Sequence, residues 1–305
     1  MRTSIVLSTY NGSKYIFEQL ESLKHQDYMP EEVLICDDCS NDNTYEIVND
    51  YIEGNKLSEW KCYKNTINLG WKKNFIEGIK KSSGDLIFLC DQDDYWYEYK
   101  IKKMRDIMID RPEINVLVSK YDEFFENGKV NEKKIQSSKI SIIKPEKSFM
   151  NIRYPGCVYC VRKSFFDAIF PYWDATFPHD AFFWRFAMFS NSLYMVHFST
   201  IRQRKHNAST FTKEAIESKT ISKQLEYTTY TKNTINAIKH YLQDNNGLNY
   251  SNIKLLNGAL KWNKLREDYL LSKKLSTWFS LLRYINYYPT YKKYLLDLYL
   301  VIKNK

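Results

Sequence analysis

The chain has 305 residues, enough for one or two domains, and its aromatic content of 16% excludes a disordered protein. The formal net charge is +9, but residues 251–305 alone carry 11 Lys/Arg and 3 Asp/Glu. The positive charge is therefore confined to the tail, which argues against a nucleic-acid-binding surface elsewhere. Because the sequence has no signal-peptide core and no run of roughly 20 apolar residues, it predicts a cytoplasmic protein without a spanning helix.

Strands and helices alternate along the first part of the chain. Short apolar runs predict strands at 3–8, 32–36, 60–64 and 86–90, and amphipathic segments predict helices from residue 16 and at 45–52, 71–81 and 98–110. This alternation is typical of a mostly parallel sheet flanked by helices, an α/β fold.

From residue 114 to about 210 the chain continues with strands and helices, and after residue 210 the pattern is helical only. Strands are predicted at 114–119, 157–161 and 193–198, helices at 163–170 and 177–189, and a loop or hairpin at 126–147. From residue 213 the pattern is helical, at 213–244, 251–273, 276–288 and 290–303. We therefore divide the chain into an α/β domain, 1–210, and a helical C-terminal region, 211–305.

Three carboxylates follow the strand at 86–90 within four residues. Asp91, Asp93 and Asp94 would lie at the carboxyl end of this strand, where open α/β sheets bind ligands. Clustered carboxylates repel each other unless a cation or hydrogen bonds hold them, and oxygen ligands of this kind suit Mg²⁺ or Mn²⁺. The segment is either a cation site or a solvated acidic turn.

A second acidic strand end, Asp37-Asp38, follows the strand at 32–36. Its carboxylates could accept hydrogen bonds from a nucleobase or a ribose. The chain lacks both glycine-rich phosphate-binding patterns, Gly-x-Gly-x-x-Gly and Gly-x-x-x-x-Gly-Lys-Ser/Thr. A nucleotide held by carboxylates and a metal implies a diphosphate leaving group that needs neutralising.

Two residues in the second part are candidates for chemistry. Asp180 opens a helix among aromatic residues, a setting that raises a carboxylate's proton affinity and suits a general base; an N-terminal capping role is the alternative. His206 follows Arg202, Arg204 and Lys205 and could bind a metal or a phosphate, or belong to a solvated basic loop.

Two Cys-x-x-Cys pairs, at Cys36 and Cys157, superficially resemble halves of a zinc site. We interpret them instead as strand and turn residues with free thiols, because cytosolic proteins keep their cysteines reduced.

At these residues the sequence resembles the family 2 glycosyltransferases with the GT-A fold, and most closely their rhamnosyltransferase-like subgroup, which builds bacterial surface polysaccharides. The resemblance covers about 1–210. Its ordered pieces are Ser8-Thr9-Tyr10-Asn11-Gly12, Asp37-Asp38-Cys39-Ser40-Asn41-Asp42, Asn68-Leu69-Gly70 with Asn74-Phe75, Gly84-Asp85, Cys90-Asp91-Gln92-Asp93-Asp94-Tyr95-Trp96, Gly156-Cys157 and His179-Asp180.

The resemblance implies a role for each matching residue. Asp180 would be the catalytic base, Asp93 the ligand of a Mn²⁺ or Mg²⁺ ion, and His206 a second metal ligand. The family's Arg-Gln-His-Gly-Asn-Asn segment is imperfect here, since it reads Arg-Lys-His-Asn-Ala-Ser over 204–209. The nucleotide-sugar-binding residues would be Ser8, Tyr10 and Asp38 on the base, Asp91 on the ribose, and in addition Thr9, Asn11, Asn68, Lys73 and Gln92.

The resemblance also implies an activity and its partners. The chain would move one sugar, with inversion, from a nucleotide-diphosphate sugar such as dTDP-rhamnose or a UDP-sugar to a glycan hydroxyl. The acceptor would be lipid-linked, as in capsule, O-antigen or cell-wall synthesis. No processive Gln-x-x-Arg-Trp motif is found, which favours single transfer. The alternative is a catalytically silent relative that binds glycans or nucleotide sugars.

Aromatic and basic residues intermix in the tail, from Lys273 to Tyr299. This mixture suits the interface of a membrane with anionic lipids, so we expect a peripheral protein on the cytoplasmic face of the inner membrane. A helical cap packed on the catalytic domain, or a homodimer contact, are the alternatives.

Overall fold

The computed structural model describes residues 1–132, 137–206 and 218–303. Within this part the strands are β1 (Thr3–Thr9), β2 (Glu32–Asp37), β3 (Trp60–Lys64), β4 (Leu86–Asp91), β5 (Tyr95–Trp96), β6 (Val116–Phe125), β7 (Val130–Asn131), β8 (Ser137–Ile142), β9 (Tyr159–Arg162) and β10 (Leu193–Lys205). The helices are α1 (Ile16–Lys24), α2 (Thr44–Gly54), α3 (Trp71–Lys81), α4 (Lys100–Asp110), α5 (Lys163–Ile169), α6 (His179–Phe189), α7 (Ile221–Asp244), α8 (Tyr250–Ser272), α9 (Leu275–Ser280) and α10 (Tyr291–Lys303).

All ten strands form one sheet in the order β3-β2-β1-β4-β9-β6-β10-β5, with β7 on β6 and β8 on β10. Strands β1 to β4 are parallel, and so are β6 and β10, whereas β9 runs antiparallel between β4 and β6. The sheet is therefore mixed, and the predicted α/β class is confirmed. The antiparallel β9 begins at the edge where β4 ends, which brings the segment before it to that edge.

Continuous apolar runs place β1 and β4 at the centre of the core. Ile5, Val6 and Leu7 are fully buried, as are the apolar residues of β4, because helices cover both faces of the sheet. Helix α3 packs closely on β1, since a Cβ added at Gly78 would lie 2.5 Å from Val6 Cγ1. This close packing fixes the amino end of α3 relative to the strand ends.

Several predicted boundaries differ from the structure, and the largest differences lie in the second half of the chain. Strand β10 continues seven residues beyond the predicted end at 198, because β6 and β5 both pair with its second half. The predicted helix at 276–288 is instead α9 followed by a 3-10 helix, Leu281–Tyr287, with non-helical dihedral angles at Tyr284. Helix α7 begins at Ile221 with Thr220 as its N-cap, so the predicted helix is wrong over 218–220; its predicted start at 213 and the boundary at 210 lie outside the described residues.

A buried ion pair fixes α10 to the helical region. Arg266 on α8 donates to Asp297 on α10 through Nε (2.7 Å) and Nη2 (2.8 Å), and the Tyr288 hydroxyl donates to the same carboxylate at 3.0 Å. Both charged groups are almost fully buried. Asp297, which interrupts the apolar tail in the sequence, is therefore the residue that anchors its last helix. No helix among the described residues is both long and apolar enough to cross a bilayer.

Candidate active site

The carboxyl ends of β1, β2 and β4 meet at one edge of the sheet. In the parallel register Ser8 lies beside Asp91 and Thr9 beside Asp37. The two acidic segments are distant in sequence, but they lie on either side of the end of β1 at the same edge of the sheet. This is the edge at which α/β sheets bind ligands.

The Asp38 carboxylate is buried and holds the turn that precedes α3. It accepts hydrogen bonds from Asn65 Nδ2 and from the backbone N–H groups of Leu69 and Gly70, each at 2.8 Å. Exposed Asn68 adds a bond from Nδ2 to the Asp38 carbonyl at 3.2 Å. A carboxylate offers about four acceptor positions, so about one is left for a ligand. The base contact assigned to Asp38, and the role of Asn68, stay predictions.

Asn74 joins the ends of β1 and β2 to this turn, a role that the sequence analysis missed. Its Nδ2 donates to Ser8 Oγ and to the Cys36 carbonyl, both at 2.7 Å, and its Oδ1 accepts from Asn65 at 2.9 Å. It is 1% exposed. The predicted residue Ser8 is therefore held by a buried amide on the first turns of α3.

Thr9 and Asn11 connect the loops after β1 and β2. Thr9 is buried and donates to Asp37 Oδ1 at 3.0 Å. The Asn11 N–H donates to Ser40 Oγ at 2.9 Å, while its Oδ1 accepts from the Asn41 N–H at 2.8 Å. Both side chains are used between the loops, and their contact with a nucleotide stays a prediction.

Gln92 holds the backbone of Tyr10 at the open edge. Its Oε1 accepts from the Tyr10 N–H at 2.9 Å, and its Nε2 donates to the Tyr10 carbonyl at 3.2 Å. A Cβ at Gly12 would lie 2.2 Å from Gln92 Oε1, so a larger residue there would displace the Gln92 amide from Tyr10. The Tyr10 ring remains 43% exposed, as a ring that stacks on a ligand would be.

Asp91, Asp94 and Cys157 form a compact group beneath the edge. Their ligand atoms lie within 4.8 Å of one another, and Asp94 and Cys157 are buried. Burial, followed by the charge of Asp93, raises the pKa of Asp91 to about 7; burial also raises the pKa values of Asp94 and the Cys157 thiol well above their usual ranges. Cys157, interpreted from sequence as an ordinary strand thiol, thus lies at the site.

Lys100 lies under this group and is fully buried. Its Nζ donates to the Cys157 carbonyl at 2.5 Å and lies 3.5 Å from the centre of the Trp96 ring. Burial lowers the pKa of Lys100 to about 8, while the neighbouring thiols and Asp94 favour its charged form. The lysine therefore places a positive charge inside the protein beside the buried carboxylates.

Asp93 faces His206 at the partly open side of the same edge. Asp93 Oδ2 and His206 Nε2 are 2.8 Å apart, and the two side chains are 22% and 7% exposed. The His206 ring also lies 5.0 Å from the Tyr15 ring, centre to centre. The structure thus brings together the two residues predicted to hold a metal, which are 113 positions apart.

These residues fit a divalent cation. Asp93 supplies a carboxylate oxygen, which suits Mn²⁺ and Mg²⁺, and His206 supplies an imidazole nitrogen, which suits a transition metal such as Mn²⁺ better than Mg²⁺. Within the described residues, His206 Nδ1 and Asp94 Oδ2 are buried without a hydrogen-bond partner. A cation and its bound water would satisfy such groups.

The basic segment before His206 is not a loop. It is the end of β10, and Arg204 points into the acidic turn, where its N–H donates to Asp94 Oδ1 (3.1 Å) and its Nε to the Asp93 carbonyl (2.9 Å). Lys205 pairs with Glu123 at 3.4 Å. Pairing of β10 with β6 places Glu123 where Lys205 can reach it, which would not be so in a free loop.

Asp180 lies on the first turn of α6 and faces the segment before β9. A Cβ at Gly156 would lie 3.3 Å from Asp180 Cβ and 2.5 Å from His179 Nε2, so only glycine allows this approach. Burial raises the pKa of Asp180, opposed by the Ala181 N–H, which donates to it at 2.6 Å, by the charge of Arg185 and, to a smaller extent, by the charge of Lys72. Gly156 precedes Cys157, whose sulfur lies within 4.8 Å of Asp91, so Asp180 and Asp91 lie at the same edge of the sheet.

The ring of His179, the residue before the base, packs on α3, the helix that carries Lys72 and Lys73. His179 stacks on Phe75 with ring centres 4.0 Å apart, and burial lowers its pKa to about 3, so the ring is neutral. Lys73 is exposed on α3. Its neighbour Lys72, which the sequence analysis did not select, is the lysine whose charge acts on Asp180.

Lys100→Met is expected to destabilise the fold by about 3 kcal/mol, because it leaves buried carboxylates without their internal counter-charge. Asp94→Asn should recover part of this loss in the double variant. A double-mutant cycle of denaturant unfolding measures the coupling. Strictly additive losses would show that Lys100 and Asp94 do not interact.

The protein-family model described as Glycosyl transferase family 2 matches residues 4–170, which is more than half of the chain. The chain belongs to this family. The match ends before Asp180 and His206, so the placement of these two residues rests on the structure. The sequence-based assignment to family 2 glycosyltransferases is confirmed.

Bacterial glycosyltransferases are similar to this chain over about half of its length. The poly(ribitol-phosphate) β-N-acetylglucosaminyltransferase TarS of Staphylococcus aureus is 31% identical over 155 residues, covering 50% of this chain and 26% of TarS. The dTDP-rhamnosyl transferase RfbG of Shigella flexneri is 30% identical over 168 residues, covering 52% of this chain and 54% of RfbG. The chain thus spans only about a quarter to a half of these relatives.

Solved structures of TarS share the fold. The crystal structure of S. aureus TarS 1–349 in complex with UDP-GlcNAc superposes with a TM-score of 0.60 at 18% identity, covering 92% of this chain and 90% of that one. The complex with UDP gives 0.58. This likeness confirms the predicted GT-A fold and its helical C-terminal region.

Proposed function

We propose that the protein is an inverting, metal-dependent glycosyltransferase that moves one sugar from a nucleotide-diphosphate sugar to a glycan hydroxyl. The observation that carries the proposal is the convergence at one sheet edge of Asp93 with His206, of Asp91, and of Asp180 beside Gly156. A carboxylate–imidazole pair next to a buried, proton-attracting carboxylate provides a cation site and a base within one cleft.

The cation site would lie on Asp93 and His206. A bound Mn²⁺ or Mg²⁺ supplies positive charge that stabilises a departing diphosphate. Arg204 holds the Asp93 backbone in place through its bond to the carbonyl. The nucleoside would lie along the edge formed by Tyr10, Gln92 and the Asp38-supported turn, with Asp91 near the ribose.

Asp180 would act as the base on the acceptor. Its carboxylate takes the proton from an acceptor hydroxyl, whose oxygen forms the new bond to the anomeric carbon as the bond to the diphosphate oxygen breaks. The electron pair of the broken bond leaves with the nucleoside diphosphate. Because this is a single displacement from the opposite face, the anomeric configuration inverts.

The relatives support a role in surface-polysaccharide synthesis. RfbG is named a dTDP-rhamnosyl transferase, and a third relative, Escherichia coli WfaP, is named as acting on GlcNAc-diphosphoundecaprenol. WfaP is 34% identical over 105 residues. For this chain we infer a dTDP- or UDP-sugar donor and a lipid-linked acceptor, used by a peripheral protein at the cytoplasmic face of the membrane.

A thermal-shift screen tests the donor. UDP- or dTDP-sugars with Mn²⁺ are expected to raise the melting temperature, because a ligand that binds only the folded state stabilises it by mass action. Incubation of the protein with the stabilising sugar and a lipid-linked acceptor, with the released nucleoside diphosphate measured by chromatography, then separates an enzyme from a silent binding relative. Binding without release would favour the silent relative.

A further inference from the structure

The C-terminal helices expose an unusual share of large apolar side chains. Among the described residues, eight of the eighteen exposed large hydrophobic residues fall within 271–302. They are Leu271, Leu275, Phe279, Leu282, Tyr291, Leu295, Tyr299 and Ile302, each 45% to 66% exposed. We call this set the C-terminal apolar face.

The spacing of these residues places them on single sides of their helices. Leu275 and Phe279 are four residues apart on α9, and Leu282 follows three residues later. Tyr291, Leu295, Tyr299 and Ile302 recur at intervals of four, four and three on α10. Such spacing keeps side chains on one stripe of a helix. The exposure is therefore patterned and not scattered.

The opposite sides of these helices are packed, so the apolar face has a rigid support. Trp278 of α9 and Tyr294 of α10 stack with ring centres 4.6 Å apart, and Leu281 is fully buried. On α10 the buried Asp297 is held by Arg266. Most of the aromatic residues of the tail take part in this packing, as the helical-cap alternative expects. The packing nevertheless leaves the outer apolar stripe exposed.

The charge of the segment distinguishes between two partners for the apolar face, a second copy of this chain and a lipid bilayer. From 269 to 303 the only acidic residue is Asp297, which is 0% exposed and ion-paired. Lys274, Arg283, Lys292 and Lys303 are exposed in the same segment. A second copy of this chain would oppose cations to cations across a two-fold contact, whereas an anionic bilayer complements them.

We propose that the C-terminal apolar face docks on an anionic lipid bilayer, with its apolar side chains entering the interface and the surrounding cations contacting acidic headgroups. This deepens the proposed function, because it holds the catalytic cleft near a lipid-linked acceptor. It is measured without any sugar substrate, so its failure would leave the catalytic proposal intact.

The experiment is sedimentation of the full chain with vesicles of phosphatidylcholine alone or with added phosphatidylglycerol. Tyr291→Glu with Leu295→Glu should weaken binding to the anionic vesicles by about tenfold or more, since it removes apolar contacts and adds repelled charge. Tyr250→Glu is the matched control, because Tyr250 is also an exposed first residue of a helix. Tyr250→Glu should bind the anionic vesicles as the wild type does, and added salt should weaken the binding of both proteins.

Equal sedimentation of the wild type and the double variant would overturn the proposal, as would equal binding to both kinds of vesicle. A lipid-free dimer that the double variant dissociates would assign the face to a second copy instead. Circular dichroism and thermal unfolding of both variants show whether they remain folded. Lys292→Glu is an independent variant that changes only the charge and leaves the apolar stripe intact.

Discussion

Asp180→Asn is expected to lower the rate of sugar transfer by about 10²- to 10⁴-fold, the range contributed by a positioned general base. Asparagine preserves the shape of the side chain and can still accept the Ala181 N–H, but it cannot take a proton. Affinity for the nucleotide sugar should therefore change little. Steady-state transfer and donor titration calorimetry measure the two effects separately.

The matched control is Asp167→Asn. Asp167 is an exposed carboxylate on α5 that pairs with Lys163 at 2.5 Å, and such surface pairs contribute little. This variant should transfer sugar at the wild-type rate. Near-normal turnover by Asp180→Asn would remove Asp180 as the base, and loss of donor binding would point to a structural role.

The same base sets the pH dependence of transfer. Burial raises the pKa of Asp180 above its usual range, and the base acts only when ionised. The transfer rate of the wild type should therefore fall as the pH decreases through this raised pKa, and Asp180→Asn should lose that step.

Asp93→Asn is expected to reduce Mn²⁺-supported transfer by about 10²-fold or more, because charge stabilisation of a leaving group by a bound cation contributes several kcal/mol. It should also weaken donor binding in the presence of Mn²⁺. Transfer rates over a Mn²⁺ titration, with and without chelator, measure the change. Asp106→Asn, at an exposed position of α4, is the control with the same chemical substitution.

Activity of the wild type that is unchanged by chelation would contradict the metal role of Asp93. A loss in Asp106→Asn equal to that in Asp93→Asn would assign the effect to net charge. His206→Gln should also reduce Mn²⁺-supported transfer, because His206 Nε2 lies 2.8 Å from Asp93 Oδ2 and both would contact the same cation.

The acidic edge was predictable from sequence because it depends on local rules. Apolar runs define β1, β2 and β4, and in parallel strands their carboxyl ends meet, so Asp38 and Asp91 had to lie at one edge. Asp180 and His206 were predicted by resemblance to known glycosyltransferases. Their approach to the edge depends on Gly156 and on the length of β10.

Contacts that depend on distant pairing were not predictable. Lys100 reads as a surface lysine at the start of an amphipathic helix, yet it is buried because the antiparallel β9 places the Cys157 carbonyl above it. Cys157 reaches Asp91 and Asp94 for the same reason. The extension of β10 likewise comes from pairing with β5 and β6, since its Arg and Lys side chains carry no strand pattern.

Anomalous diffraction at the manganese edge, from crystals grown with Mn²⁺ and UDP or dTDP, tests the central claim most directly. A peak in contact with the Asp93 carboxylate and His206 and with the diphosphate, on the side of the cleft that Asp180 faces, is the expected result. A peak held elsewhere, or nucleotide bound away from the ends of β1, β2 and β4, would contradict the account.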